Sequence, residues 1–255
     1  MKYKTILLTK DDGYATLTLN RPDEMNALSI EMRHELLHAF GQLEEDDSVG
    51  AVILTGGDTI FSAGIDLEEM ATLESSLFEH YSKVMIESLQ RIYGFRKPVI
   101  AAVSGIALGG GFNLVTVCDI VIASETAIFG HPELKLGLNP LFDPLRRMVG
   151  IAKAKEITML GEPIGAQEAL RIGLANKISP PDTFLLDAQA IAAELSRRPA
   201  RAVEAVKKIS DVVPRLDKNS ALEYEFEISS LLFSRVEIRD HMRQFLDNLK
   251  SKKRE

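Results

Sequence analysis

The 255-residue chain has no tryptophan and a single cysteine, Cys118. One thiol cannot form an internal disulfide, which excludes a disulfide scaffold and fits a reducing compartment such as the cytoplasm. Positive charge is also in short supply. Thirty Lys and Arg stand against 37 Asp and Glu, a net charge of −7. Such a chain has no long-range pull toward nucleic acid or anionic lipid. Any anionic ligand must be held by local basic groups or backbone amides. A secretory leader is not expected, because the apolar run Ile6-Leu7-Leu8 is short and Asp11-Asp12 follow closely. The longest stretch without charge, residues 98–118, has the length of a membrane span. Ser104-Gly105 and Gly109-Gly110-Gly111 break it, so it reads as buried soluble structure. The remaining composition, 45% hydrophobic and 26% charged, is that of an ordinary globular protein. The length suits about one or two domains with a core that needs no metal staple.

Apolar runs at 5–9 and 15–19, split by Asp11-Asp12-Gly13, predict a hairpin. Ser29 predicts the N-cap of a helix reaching Glu44. Residues 49–55, 98–103 and 120–123 read as buried strands, and 77–93 as a helix. Strands alternating with helices give an α/β fold with mostly buried sheets. Beyond Ile178 the strand signals stop. Residues 182–198, 200–213, 216–233 and 236–250 read as helices punctuated by Pro199 and Pro214. The expected division is a core at 1–195 and a helical, oligomer-forming region at 196–255. The basic tail Lys252-Lys253-Arg254 reads as a solvated end.

His34-Glu35-Leu36-Leu37-His38 matches the zinc-hydrolase pattern H-E-x-x-H. On a helix both imidazoles would share a face, with Glu35 as base. No third ligand or Met-turn is evident. Leu36, Leu37, Phe40 and Leu43 give the helix an apolar face, with the histidines beside it as surface groups. No metal is expected. Residues 99–111 run strand, turn, helix start, but match neither a dinucleotide fingerprint nor a P-loop, since Gly111 stands where the P-loop needs lysine. Glycines there either expose N–H groups to an oxyanion or permit close packing. Phe61-Ser62-Ala63-Gly64-Ile65-Asp66-Leu67 is a second small-residue turn after a strand. Two such turns could aim two donors at one oxygen, each worth roughly 2.7–4 kcal/mol in a transition state. That arrangement suits a thioester enolate.

These segments, with Asn20-Arg21-Pro22, Asn26-Ala27-Leu28, Lys97-Pro98, Cys118-Asp119, Phe129-Gly130-His131-Pro132-Glu133 and Gly173-Leu174, stand in an order that resembles the crotonase, or enoyl-CoA hydratase/isomerase, superfamily over almost the whole chain. The resemblance implies a spiral of ββα units with a helical C-terminal region, assembled as a homotrimer or hexamer. It implies an acyl-CoA substrate and no cofactor beyond the coenzyme A carried by that substrate. The oxyanion amides map to Ile65 and Gly110, and the turn at Gly110 opens a helix. Coenzyme A and the acyl group would meet Asn26, Ala27, Leu28, Ala63, Asp66, Leu67, Gly109, His131 and Leu141. Lys250 of a neighbouring chain would meet the phosphates.

The family's hydratases carry two glutamates, which here map to Asn113 and Glu133. One carboxylate suffices to move a proton from C2 to C4, whereas water addition is better served by two. Isomerisation of 3-enoyl to 2-enoyl thioesters, with Glu133 as base, is therefore the expected reaction. Hydration aided by Asn113 or Asp143 is the alternative. More distant ones are a decarboxylase or hydrolase and a silent acyl-CoA binder. Asp143 reads either as a substitute carboxylate or as a helix cap before Pro144, the cap being favoured. His131 reads as a turn residue or as an orienter of Glu133. Leu141 and Phe142 suggest a bulky pocket wall, and Cys118 a buried, inert thiol.

Overall fold

A computed structural model describes residues 2–252. The chain divides into two compact units, Met1–Arg197 and Arg198–Glu255. In the first, β1 (Ile6–Lys10) and β2 (Tyr14–Leu19) form an antiparallel hairpin with Ile6 opposite Leu19. Helix α1 (Ile30–Glu45) begins where Ser29 Oγ accepts the Met32 N–H at 3.2 Å, which satisfies one of the free first-turn donors. β3 (Ala51–Thr55) returns parallel to β2. Then come α2 (Leu67–Thr72), α3 (Phe78–Tyr93) and β4 (Val99–Val103), the last parallel to β3. β5 (Ile106–Leu108), α4 (Gly110–Thr116), β6 (Ile120–Ser124) and β7 (Ile128–Gly130) follow in short order. The unit closes with α5 (Asp143–Val149), α6 (Ile151–Leu160), β8 (Ile164–Gly165), α7 (Ala166–Arg171), β9 (Lys177–Ser179) and α8 (Phe184–Ser196).

The strands make a six-stranded sheet, order β1-β2-β3-β4-β6-β9, and a small sheet, order β5-β7-β8. Alternation along the parallel strands sorts side chains to two faces. Val52 and Leu54 of β3 join the main core with Leu17, Phe40 and Phe112. Ala51 and Ile53 face the other way, with Ile100 and Ile122, and are sealed by Phe184, Ala188 and Ala192 of α8. Both faces are covered, which is why these strands read as unbroken apolar runs. The uncharged run 98–118 is divided among β4, β5 and α4, and no helix among the described residues is long and apolar enough to cross a membrane.

The small sheet is absent from the sequence expectation, because two- and three-residue strands carry no measurable periodicity. The H-E-x-x-H segment proves to be a packing device. Glu35 accepts the N–H groups of Lys4 and Thr5, both at 2.8 Å, and so clamps the start of β1 to α1. His38 Nδ1 meets the Tyr3 hydroxyl at 2.9 Å. Among the described residues no three metal-ligating side chains come together.

The second unit consists of α9 (Ala200–Val212), α10 (Lys218–Phe233) and α11 (Val236–Lys252). Asp217 caps α10 by accepting the N–H groups of Asn219 and Ser220. Of the four helices expected beyond Ile178, α8 belongs to the first unit. Lys250 lies 4.0 Å from Asp247 on α11.

One glycine bears directly on how the two sheets connect. Gly105, between β4 and β5, has φ +60°, and a Cβ there would lie 1.8 Å from the Thr59 carbonyl oxygen. Gly105→Ala therefore meets both a backbone penalty and a clash, and is expected to destabilise the fold by about 3 kcal/mol or more. A urea titration reads this as a lowered midpoint at unchanged slope.

Candidate active site

Two tight turns meet at the point where the two sheets join. The first follows β3. Ser62 pairs with Ala107 of β5, its N–H donating to Ile106 O and its carbonyl accepting from Leu108 N–H, each at 3.0 Å. Ser62 Oγ donates to the Asn26 carbonyl at 2.8 Å and accepts the Gly64 N–H at 3.1 Å. Leu28 N–H donates to Gly64 O at 2.8 Å. The second turn leads into α4, with Gly109 N–H held by the Gly130 carbonyl at 2.9 Å. Gly64 has φ +104°, and a Cβ on it would lie 2.7 Å from Leu108 O and 3.1 Å from Gly110 N. Only glycine lets the two turns come this close.

The result is a pair of converging donors. A Cβ on Gly110 would lie 3.4 Å from Ile65 N. Among the described residues neither the Ile65 nor the Gly110 N–H donates to any group. Two unengaged amides side by side can both donate to one oxygen. They border a small cavity of about 80 Å³ lined by Ala63, Ile65, Leu67, Gly109, Gly110, Pro132, Glu133, Leu136 and Leu138. Among the described residues that line it, Glu133 carries the one ionisable side chain.

Glu133 lies in the 3₁₀ turn Pro132–Leu136, buried at 7% exposure. A Cβ on Gly109 would lie 3.4 Å from its Oε1, so the carboxylate stands directly over the glycine turn. His131 Nδ1 is 3.2 Å from Oε1, while Glu133 Oε2 has no partner. His131 is fully buried, stacks at 4.7 Å on Phe112 and does not line the cavity. Its ring thus contacts the carboxylate and not the cavity. Asn113, at the position where the family's hydratases have glutamate, sits one turn into α4, and its Oδ1 is buried without a partner.

Other expected site residues serve the frame. Asn26, at φ +52°, accepts Arg21 N–H and donates to the Gly56 and Ile60 carbonyls. The Ala27 carbonyl accepts from Arg21 at 2.7 Å, and Leu28 packs on Gly110. Asp66 caps α2 through the Glu69 N–H and pairs with Arg21 at 2.7 Å. Leu141 is partly exposed and outside the cavity wall. Asp143 is the first residue of α5, not its cap, and its carboxylate is paired with Arg146 and Arg147. The substitute-carboxylate expectation for Asp143 is thus not met, since both of its oxygens are engaged by guanidinium groups away from the cavity.

One charged side chain beside the turns escaped the sequence reading. Arg33 of α1 is 1% exposed, and its Nη2 would lie 3.5 Å from a Cβ on Gly110. Its signal was available: Arg33, Leu36, Phe40 and Leu43 fall on one helical stripe, and a cation has no ordinary place there.

The chain belongs to the enoyl-CoA hydratase/isomerase family, whose model matches residues 9–254. It is 37% identical over 254 residues to a short-chain-enoyl-CoA hydratase of Clostridium acetobutylicum, covering 98% of this chain and 97% of that one. It is 35% identical to a crotonyl-CoA hydratase of Syntrophomonas wolfei, covering 98% of each. The crystal structure of an enoyl-CoA hydratase from Bacillus anthracis superposes with a TM-score of 0.92 at 29% identity, covering 96% of this chain and 97% of that one. The crotonase-type α/β fold expected from the resemblance is therefore the fold of this chain.

Asp66 offers a test of the frame. Burial alone would raise its pKa, but the Glu69 amide and the Arg21 guanidinium outweigh it and hold the carboxyl below its usual range. A depressed carboxyl contributes stability above its unfolded pKa and loses it as pH falls through the folded value. Asp66→Ala is expected to cost about 1–2 kcal/mol at pH 7. The gap to wild type should narrow below about pH 4, as seen in chemical denaturation at both pH values.

Proposed function

We propose that this chain adds water to a 2-enoyl-CoA thioester through an enolate held by the Ile65 and Gly110 amides, with Glu133 carrying the proton. The observation that carries the reading is a buried carboxylate oxygen without a partner, Glu133 Oε2, in one cavity wall with two unengaged amide donors; Asn113 Oδ1, in the first turn of the helix that Gly110 opens, is likewise buried without a partner. A water molecule has two protons to donate, and buried acceptors left empty are costly. The names of the relatives favour hydration over the isomerisation expected from the lone carboxylate.

The steps balance with one carboxylate. The thioester oxygen accepts from both amides, which draws electron density from C3. Water attacks C3 while Glu133 takes one of its protons. The C2–C3 π pair moves to make the enolate, whose charge falls on the oxygen between the amides. Glu133 then returns the proton to C2. Asn113 cannot exchange a proton usefully, but its carbonyl oxygen can hold the water's second O–H. His131 keeps Glu133 aimed through its Oε1. Isomerisation remains the second reading, because the position of the family's other glutamate is Asn113. There Glu133 would move a proton from C2 to C4 with no water taking part.

The same reading carries an acyl-CoA substrate, no resident cofactor, a cytoplasmic setting and assembly as a trimer or hexamer. Exposed apolar side chains in the second unit, among them Phe226, Phe233 and Phe245, support burial against another chain.

A paired assay tests the reading. Crotonyl-CoA and a 3-enoyl-CoA are given to one preparation, and products are resolved by chromatography and mass. Hydration adds one water, whereas isomerisation leaves the mass unchanged. Hydration of crotonyl-CoA is expected, with Glu133→Gln reducing it by about 10²–10⁴-fold. Asn113→Ala should reduce hydration by about tenfold and spare any isomerisation. Rapid conversion of the 3-enoyl substrate with no hydrated product would transfer the assignment to isomerisation. Conversion of neither would leave an acyl-CoA binder or a different acyl group.

A further inference from the structure

We propose that Arg33 is a charged third component of the carbonyl-holding site, its guanidinium backing the Gly110 turn and stabilising negative charge on the oxygen held by Ile65 and Gly110. The proposal rests on the thioester reading above and deepens it by naming a residue that this reading does not require.

Arg33 is fully buried between α1 and α3, yet it is poorly paired. Nη1 donates to Ser88 Oγ at 3.3 Å, and neither Nε nor Nη2 has a partner. No ion pair holds it among the described residues. The Tyr81 hydroxyl stands near enough to interact electrostatically but completes no hydrogen bond of normal geometry. Glu69 is the carboxylate whose charge reaches it, and that carboxylate already accepts the Ile30 N–H at 2.9 Å. Burial pushes the guanidinium's pKa down, but guanidinium groups in proteins keep their proton.

Stability does not account for such a residue. A buried cation with free donors is costly, and a hydrophobic side chain of similar volume is commonly as stable or more so. Its location is informative. One point on the face of Gly110 lies 3.4 Å from Ile65 N and 3.5 Å from Arg33 Nη2. The charge is therefore within about 7 Å of the Ile65 amide, less than the Debye length of about 8 Å at physiological salt. The path between them is protein rather than water, so the field is weakly screened. A positive charge fixed there favours an enolate over a neutral thioester. It discriminates between the two by charge, without touching the substrate.

The probe is acetoacetyl-CoA, whose enolate has a near-ultraviolet band that the keto form lacks. Titrating the bound ligand with pH gives its apparent pKa on the enzyme. In Arg33→Met that pKa is expected to rise by about one unit or more, a tenfold loss of enolate at fixed pH. The thermal midpoint should be unchanged or higher. The Kd of butyryl-CoA, which cannot enolise readily, should stay within about twofold. Arg33→Lys, which keeps the charge, should fall between wild type and Met. Should Arg33→Met not fold, the neutral Arg33→Gln is judged by the same titration. A folded neutral variant with the wild-type titration curve overturns the proposal and leaves Arg33 a structural role. Wild-type enzyme that binds acetoacetyl-CoA without an enolate band overturns the thioester reading itself, and the proposal with it.

Discussion

The close approach of two backbone turns is the constraint from which the rest of the site follows. Gly64 lies against Leu108 O and Gly110 N at distances that exclude any side chain. Gly111 is similarly confined, since a Cβ there would lie 2.6 Å from Ser62 O. The Ser62–Ala107 bridge and the Gly109–Gly130 hydrogen bond hold the turns from either side. This frame leaves the Ile65 and Gly110 N–H groups unengaged where backbone donors are normally satisfied. The frame is built from main chain, so neighbouring side chains can vary while the two donors stay in register. A family that keeps the turns can therefore change its proton-transfer groups and with them its reaction.

That separation bears on the exchange at position 113. An asparagine there leaves the donor pair intact and removes one proton carrier. Removing the carrier need not remove the water site, because an amide oxygen accepts as a carboxylate does. In the hydration proposed above, what changes is the route of the proton, which passes through Glu133 in both directions. Such a route demands a well-fixed carboxylate. Glu133 is buried, braced by His131 at 3.2 Å and set over Gly109. His131 is itself wedged against Phe112. The bracing thus runs from the core to the cavity through one imidazole.

Much of this was legible in the residues. The glycine turns were visible because a positive φ and a close approach both demand glycine, and such demands leave a local mark. The large parallel strands were visible because burial on both faces writes continuous apolar runs. The small sheet was not, since Ile164-Gly165 is too short to hold a pattern. Asp143 misled because an acid before proline suggests a cap, while Arg146 and Arg147, three and four residues on, compete for its carboxylate. His34 and His38 formed a zinc-type pattern that the sequence already set aside for want of a third ligand. A five-residue pattern is short enough to arise on any amphipathic helix, and only Glu35's hold on Lys4 and Thr5 showed its use. Asn26 and Asp66 lie in segments that the family resemblance assigned to ligand binding, yet their hydrogen bonds are internal. Motif position locates a region, but partners decide which of its side chains face the ligand.

The distribution of unsatisfied polar atoms carries this argument one step further. Among the described residues, buried side-chain atoms without partners belong to Thr16, Arg33, Tyr81, Asn113, His131 and Glu133. Glu133 and Arg33 lie against the glycine turns, His131 beside Glu133, Asn113 in the helix that the second turn opens, and Tyr81 within electrostatic reach of Arg33. A core selected for stability alone would have satisfied or removed them, since each costs about 1–3 kcal/mol. Their confinement to one place means that the local fold is held in a state its own groups do not complete. The main-chain frame makes this tolerable, because the ladders of both sheets and the clasp of Asn26 fix the turns independently of those side chains. Rigidity supplied by backbone contacts and polarity left open at side chains are thus two halves of one arrangement: the first keeps the second from collapsing onto itself, and the second gives an incoming polar ligand something to satisfy.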